Sequence, residues 1–247
     1  MDTVRDVNEK VMRLWEEWHC KLKDGNLKVP LIYPDLNNTD ALLFIGMNPS
    51  FVLTAYEKNL KDTNYQSTDV KRFFSWGNHY FDMAECGKIE KIMRTKYKKY
   101  FGKFEKIAEE ALGNPLKYEH IDLFFNRETS QREFERKILN NPVMKEFVLC
   151  QLELSKSLIK HVHPKLIVVA NAGAAKLFEK KAETGNLGEE FHLQWSEEQG
   201  YHTAVINEKP IPVFLTSMLT GQRALDDGSY RRLKWHIKKA LKDVSSV

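Results

Sequence analysis

The chain has 247 residues, of which 42% are hydrophobic, and it carries 38 basic and 34 acidic side chains, a net charge of +4. These values exclude a disordered or low-complexity chain and are typical of a globular protein with one substantial core. The three cysteines, Cys20, Cys86 and Cys150, are far apart and form no CxxC pair, which argues against a disulfide framework or a zinc module and favours a reducing compartment.

The N-terminal segment, residues 5–23, places apolar side chains at helical spacing and predicts an amphipathic helix that ends at Asp24-Gly25-Asn26. Charged residues interrupt the first twenty positions, so we expect no signal peptide, and no later stretch has the apolar length of a membrane span. We therefore expect an intracellular protein with no membrane partner. Residues 1–39 are interpreted as a helical extension of a single domain that covers residues 1–247.

Four short apolar runs, separated by helical patterns, predict buried strands. Because strands that alternate with helices favour parallel pairing, we predict an α/β fold, a three-layer α/β/α sandwich around a central, mainly parallel four-stranded sheet. Tyr201–Ile206 is expected to add an antiparallel hairpin arm at one edge. The clearest helix is expected at Met144–His161. The four strands are expected at Ala41–Ile45, Glu119–Phe125, Lys165–Ala170 and Ile211–Thr216.

Residues 88–115 form a basic helical insertion between the first and second strands. Eight basic side chains lie between Lys88 and Lys106, against only two acidic ones. A charge run of this kind is most often a solvated helix face. Because Tyr97, Tyr100 and Phe101 interleave with the lysines, a surface that contacts phosphates is the alternative.

The segment Gly46-Met47-Asn48-Pro49-Ser50 directly follows the first strand. Ligands of open α/β sheets bind beyond the carboxyl ends of the strands, so this segment lies where a site is expected. Gly46 permits close backbone approach, and Pro49 restricts both its own φ and the conformation of Asn48. Asn48 is therefore a candidate for a rigidly held functional side chain, and a plain Asn-Pro turn is the alternative.

Several further motifs follow in a fixed order. They are Thr54-Ala55-Tyr56, "GNHYFDMAECG" (77–87), "NRETSQ" (126–131), "HPKLIVVANAGAAKLF" (163–178) and "VFLTSMLTGQRALD" (213–226). Together with Gly-x-Asn-Pro, this series resembles the uracil-DNA glycosylase superfamily, and within it the mismatch-specific thymine/uracil-DNA glycosylase branch most closely. The resemblance covers residues 40–245, with a gap at the basic insertion.

The resemblance implies a monofunctional DNA glycosylase, a hydrolase that flips a nucleotide out of the duplex and cleaves the bond between base and sugar. It implies DNA as the partner, no metal and no cofactor, and a monomer is the favoured state. Asn48 takes the catalytic place, positioning water on the anomeric carbon of the sugar. Because a carboxamide is not a strong base, catalysis would rest on positioning and on main-chain donors near Met47 and Ser50.

For the flipped base, the resemblance implies a pocket with a stacking aromatic ring and an edge reader. Tyr56 matches the stacking position, with Phe51 and Phe74 as alternatives; core packing is the other interpretation of all three. Asn78 matches the pocket asparagine, and Asn126 is a candidate for reading the base edge or for a turn residue.

The last loop corresponds to the segment that enters the minor groove. Its candidate DNA-binding residues are Ser217, Met218, Leu219, Thr220, Gly221, Gln222 and Arg223. Met218 or Leu219 is the candidate for an apolar wedge, with plain burial as the alternative, and Arg223 is the candidate for a contact to phosphate or to the orphan base. This loop departs from the family pattern, since Leu219-Thr220-Gly221 replaces its Pro-Ser-Gly. A protein of the same fold that binds nucleic acid or a nucleobase without hydrolysis therefore remains the alternative.

Overall fold

The computed structural model describes residues 3–22, 27–77, 82–179 and 186–245. Six strands form one sheet: β1 (Leu42–Gly46), β2 (Tyr118–Asp122), β3 (Leu166–Ala170), β4 (Gln194–Ser196), β5 (Tyr201–Ile206) and β6 (Lys209–Thr216). Their order is β2-β1-β3-β6-β5-β4. The first four in this order run parallel, whereas β5 and β4 pair antiparallel at one edge.

The prediction of a four-stranded sheet is therefore wrong in its strand count, although the four predicted strands are all present. The hairpin arm at Tyr201–Ile206 is confirmed as β5, and the turn Asn207-Glu208, with φ of 50° and 66°, joins it to β6. Two consecutive positive φ angles are what a tight two-residue hairpin requires. The additional strand, β4, has only three residues, two of them exposed, so it leaves no hydrophobic pattern in the sequence.

Ten helices of the described residues surround the sheet. Residues Glu135–Leu139 add a π-helical turn and Pro142–Met144 a 3-10 turn. None of the helices in the described ranges is long and apolar enough to cross a membrane. The helices are α1 (Val4–Leu22), α2 (Leu53–Leu60), α3 (Val70–Phe73), α4 (Met83–Lys96), α5 (Lys98–Leu112), α6 (Gln131–Phe134), α7 (Lys145–Val162), α8 (Ala172–Glu179), α9 (Leu187–Glu190) and α10 (Asp227–Ser245).

The strand side chains alternate between two helical layers, which confirms the three-layer α/β/α sandwich. Leu43 of β1 faces α1, α7 and α8 in one core cluster, where Trp15 lies 5.1 Å from Phe147 between ring centroids. Phe44 faces α5 and α10 in the other, and its ring centroid lies 4.8 Å from that of Phe104. This period of two is the expected behaviour of a strand that is buried on both faces.

The basic insertion is part of the architecture, because α5 supplies one of the helices that cover the sheet. Its charged side chains form ion pairs, such as Arg94 with Glu119 at 2.6 Å and Lys234 of α10 with Glu110 of α5. A third apolar cluster joins α2, α3 and α4 beyond the carboxyl end of β1. This cluster and α5 form the walls around the segment that follows β1.

Candidate functional site

The carboxyl ends of four parallel strands line one edge of the sheet. From β1 the chain crosses to β2 on one side, and from β3 it crosses to β6 on the other side. Ligands of open α/β sheets bind where the connections diverge in this way. The segment from Met47 to Phe51 leaves β1 at this point, so Asn48 lies at the position that the topology favours for a ligand.

Three main-chain carbonyl groups hold the Asn48 side chain. Its Nδ2 donates to the carbonyl oxygens of Glu128 at 2.8 Å, Asn126 at 3.3 Å and Pro49 at 3.4 Å. Because carbonyl oxygens only accept hydrogen bonds, the NH₂ end of the amide must face them. No described residue donates a hydrogen bond to Oδ1, and the side chain is half-buried. An oriented acceptor is therefore left for a ligand or a water molecule.

The segment that carries Asn48 is bonded along its length to the segment after β2. Phe124 N donates to Met47 O at 2.9 Å, and Glu128 N donates to Pro49 O at 3.0 Å. The Thr129 hydroxyl accepts from Phe51 N at 3.2 Å and donates to Phe51 O at 2.9 Å. These bonds extend the pairing of β1 and β2 beyond the sheet and explain why the two sequence motifs lie together.

Arg127 anchors the same segment in the protein interior. Its side chain is fully buried, with Nη2 at 2.7 Å from Glu90 Oε1, Nη1 donating to the Tyr56 hydroxyl at 2.8 Å and Nε donating to Val29 O at 3.0 Å. The guanidinium carbon also lies 4.6 Å from the ring centroid of Phe74. Burial acts to lower the pKa of Arg127, but the charge of Glu90 raises it above its ordinary value, so the group stays charged.

Gly46 allows a side chain of the neighbouring strand to cross the end of β1. A β-carbon at position 46 would lie 2.1 Å from Asp122 Oδ1 and 3.5 Å from His120 Nε2. A contact of 2.1 Å is a clash, so a larger residue would displace the Asp122 carboxyl. The glycine of the Gly-x-Asn-Pro motif is therefore required in this chain because a side chain at position 46 would clash with Asp122.

Asp122 and His120 open into a cavity of about 100 Å³ between the sheet, α4 and α5. Burial raises the pKa of Asp122 to about 7, against the opposing charge of Arg127. Burial also lowers the pKa of His120 to about 3. Pro49 and Ser50 line this cavity and Asn48 does not. The other lining residues are Leu31, Tyr33, Pro34, Val52, Ala55, Tyr56, Glu90, Met93, Arg94, Tyr97, Tyr100 and Phe101.

The aromatic residues predicted to stack on a base form a cluster with one another. Phe51, Tyr56 and Phe74 have ring centroids 5.1 to 5.4 Å apart, and Phe74 is fully buried. The Tyr56 ring nevertheless reaches the wall of the cavity. The fourth base-pocket candidate, Asn78, lies outside the described residues.

Asn126 lines a different cavity, of about 380 Å³, whose walls include Lys28 and Arg136. Its side chain is buried, and Oδ1 has no hydrogen-bond partner among the described residues. A buried acceptor without a donor is costly and is unusual in folded proteins. The carbonyl of Asn126 bonds to Asn48, but its side chain does not share the cavity of Asp122.

The last loop follows β6, two strands from β1, which is roughly 10 Å at the usual strand spacing. Leu219 is 1% exposed and belongs to the core cluster of α5 and α10, so the apolar wedge is left to the half-buried Met218. Ser217 and the tip Gly221-Gln222-Arg223 are exposed, and Thr220 is half-buried.

The sequence interpretation missed Asp122 and His120 as site residues. A usable signal was present, since two ionisable side chains two positions apart in a strand lie on the same face of the sheet. Among the described residues, no cluster of three or more His, Cys, Asp or Glu side chains has the arrangement of a metal site. Comparison of the chain with known protein families and with curated proteins finds no match.

Proposed function

We propose that this protein hydrolyses the N-glycosidic bond of uracil or a related damaged or mismatched base in DNA, inside the cell. The observation that supports this proposal most directly is the Asn48 carboxamide, fixed by three carbonyl groups with Oδ1 left as an acceptor. An acceptor in this position can hold one hydrogen of a water molecule and direct a lone pair of the water oxygen at the substrate.

In this reaction the water oxygen bonds to the anomeric carbon while the bond from that carbon to the base nitrogen breaks. The base departs with the bonding electron pair and takes up a proton, and the attacking water loses a proton to solvent. Asn48 positions the water and does not act as a strong base.

The departing base needs stabilisation of its negative charge, and α2 offers it. This helix begins at Leu53, a few residues after Asn48, and no side chain among the described residues caps its start through Val52. Free N–H groups in a first helical turn favour a nearby anion.

The test is strand cleavage. Purified protein is incubated with oligonucleotides that contain uracil, a G·T mismatch or hypoxanthine, and the product is treated with alkali. We expect cleavage by the wild type and a loss of at least a hundredfold in Asn48→Ala, with full activity in the exposed control Asn37→Ala. Thermal unfolding verifies that both variants are folded. An inactive wild type on the whole panel would refute the proposal.

The alternative is binding of nucleic acid or a nucleobase without hydrolysis. Two observations favour it: Leu219 is buried and unable to act as a wedge, and Phe51 and Phe74 pack against Tyr56. Under this alternative, single- or double-stranded oligonucleotides bind with a steep salt dependence, and no product forms. Failure to bind DNA and RNA at low salt would count against both functions.

A further inference from the structure

Two helices that cover one face of the sheet, α5 and α10, carry the net positive charge of the protein. Together they hold ten lysine and arginine side chains against five aspartate and glutamate side chains. Their net charge of +5 exceeds the +4 of the whole chain, so the remaining residues are slightly acidic as a group. Charge that is concentrated on one layer in this way creates a positive potential over that face, which attracts polyanions.

Six of these cations form two neighbouring rows, which we call the basic ridge. Within each row, a spacing of three or four residues places the side chains on one face of the helix. The rows lie side by side, since the Tyr230 hydroxyl of α10 donates to Lys103 O of α5 at 3.0 Å. The ammonium groups of Lys103 and Lys234 lie 4.9 and 5.2 Å from the centroid of the same Tyr230 ring. The ridge consists of Lys99, Lys103 and Lys106 of α5 and Arg231, Lys234 and Lys238 of α10.

The positive charge of the ridge is only partly balanced. Glu110 of α5 pairs with Lys234 at 2.5 Å and with Lys238 at 3.4 Å. Three exposed cations of the ridge form no ion pair with any residue that the structure describes, namely Lys99, Lys106 and Arg231. Like charges four residues apart destabilise a helix, and each row contains such a pair. The ridge is therefore costly for the isolated protein, and an anionic partner would offset this cost.

The ridge starts at the edge of the sheet that carries the candidate site. The start of α5 lines the cavity of Asp122 through Tyr97 and Tyr100, and α10 follows the last loop after β6. From this edge each row extends about 10 Å along its helix, at a rise of about 1.5 Å per residue. A strand of duplex DNA advances about 3.4 Å per phosphate, so each row spans about three phosphates of one strand.

We propose that the basic ridge binds the phosphate backbone of duplex DNA beside the candidate site, independently of base sequence. Packed helices lie about 8 to 10 Å apart, so the two rows can reach phosphates on both sides of one groove. Contacts of this kind position a protein on the duplex and carry no sequence information. The choice of DNA rests on the proposed function, whereas the surface shares no residue with the Asn48 segment or with the last loop.

The ridge fits a duplex better than a membrane or a single strand. The apolar side chains of α10, such as Leu233 and Ile237, are buried against the sheet and cannot enter a lipid layer. Proteins hold single strands by stacking the bases on a series of aromatic rings. Among the exposed large apolar side chains of the described residues, Trp235 alone lies on these two helices. The ridge therefore offers charge for phosphates and little stacking surface for bases.

The test is binding to a fluorescently labelled duplex without uracil or mismatches, measured by anisotropy between about 50 and 200 mM NaCl. The ridge variant combines Lys99→Gln, Lys106→Gln and Arg231→Gln. We expect it to bind at least tenfold more weakly than the wild type at about 50 mM NaCl. The slope of log K against log salt should fall by about 2 to 3 in magnitude, because each phosphate contact contributes about 0.9.

Two further variants control for total charge and for structure. The first removes the same charge from exposed positions on other faces, and it should bind within about threefold of the wild type. It combines Lys145→Gln, Lys176→Gln and Lys209→Gln. The second combines Lys99→Arg, Lys106→Arg and Arg231→Lys, which keeps the charge of the ridge, and it should bind as the wild type does. Thermal unfolding verifies that all three variants are folded.

Several results would overturn the inference. They are no binding of the duplex at about 50 mM NaCl, an equal loss in the ridge variant and its charge-matched control, or an unchanged salt slope. Tighter binding of single-stranded DNA, of vesicles that contain phosphatidylserine, or of polyglutamate would also overturn it, because the ridge would then have another partner.

The outcome is separable from that of the cleavage assay, because the labelled duplex contains no base to excise. An inactive wild type that binds the duplex through the ridge would refute only the proposed reaction. An active wild type whose duplex binding is unaffected by the ridge substitutions would refute only the inference about the ridge.

Discussion

Asp122→Asn should change how the stability of the protein depends on pH. The native state holds the Asp122 proton up to about pH 7, whereas the unfolded chain releases it near the ordinary value of 3.8. The folded pKa is raised, so the contribution of this acid to stability falls as pH rises from about 4 to 7 and stays lost above pH 7. At about 1.4 kcal/mol per pH unit, the full cost is about 4 kcal/mol.

The measurement is urea unfolding of the wild type and of Asp122→Asn at pH 5, 6, 7 and 8. We expect the free energy of unfolding of Asp122→Asn, relative to that of the wild type, to increase by about 3 kcal/mol between pH 5 and pH 8. Most of this increase should occur below pH 7. Asp243→Asn serves as the control, and its curve should follow that of the wild type. Parallel curves for wild type and Asp122→Asn would refute the reasoning, because the carboxyl would then titrate alike in both states.

His120 acts with the opposite sign. Its folded pKa is lowered from 6.5 to about 3, so its contribution to stability is present above pH 6.5 and is lost as pH falls toward 3. In the wild type, the effects of Asp122 and His120 on the free energy of unfolding therefore cancel between about pH 4 and 6.5. In Asp122→Asn only the effect of His120 remains, so the free energy of unfolding of the variant should rise with pH in that interval.

Three further changes test the packing around the site. Glu90→Gln should lower the free energy of unfolding by about 3 kcal/mol in urea titrations, because it leaves the buried Arg127 guanidinium without its counter-charge. Gly46→Ala should cost about 1 to 3 kcal/mol, since its β-carbon meets the Asp122 carboxyl, and a lower Tm would report this. Thr129→Val should cost about 1 kcal/mol and slow the proposed strand cleavage at least tenfold in single-turnover assays, because it frees the segment that carries Asn48.

Each change has a matched control. Glu133→Gln removes an exposed partner of Arg136 and should leave the free energy of unfolding nearly unchanged; a loss as large as that of Glu90→Gln would contradict the argument from burial. Gly46→Ala should be tolerated better when residue 122 is also changed to alanine, and equal costs in both backgrounds would show that the clash lies elsewhere. Thr129→Ser keeps the hydroxyl and should keep the activity.

The strands that carry the fold were predictable because of their burial on both faces. Leu42–Gly46 and Leu166–Ala170 read as continuous apolar runs, which is the signature of parallel strands under two helical layers. The turn residues after β1 were equally informative, since Gly46 and Pro49 restrict the backbone locally. The position of Asn48 beyond β1 followed from these local rules.

The cavity could not be predicted, because its walls come from segments far apart in the chain. Ser50, Glu90 and Asp122 meet only after α4 and α5 dock on the sheet, and docking depends on long-range packing. The dependence on long-range packing also explains why the burial of Leu219 was not predicted. An apolar side chain in a loop fits a wedge or a core equally well, and its contact with α10 decided the outcome.

The buried guanidinium of Arg127 also has a consequence for motion. It joins Val29 and Pro30, Tyr56 of α2 and Glu90 of α4, three segments that also share the apolar cluster of α2, α3 and α4. Amide protons in these segments should therefore exchange with solvent at a common opening free energy, as one cooperative unit. Weakening that single ion-paired group should speed exchange in all three at once, while the amides of β3 keep their protection.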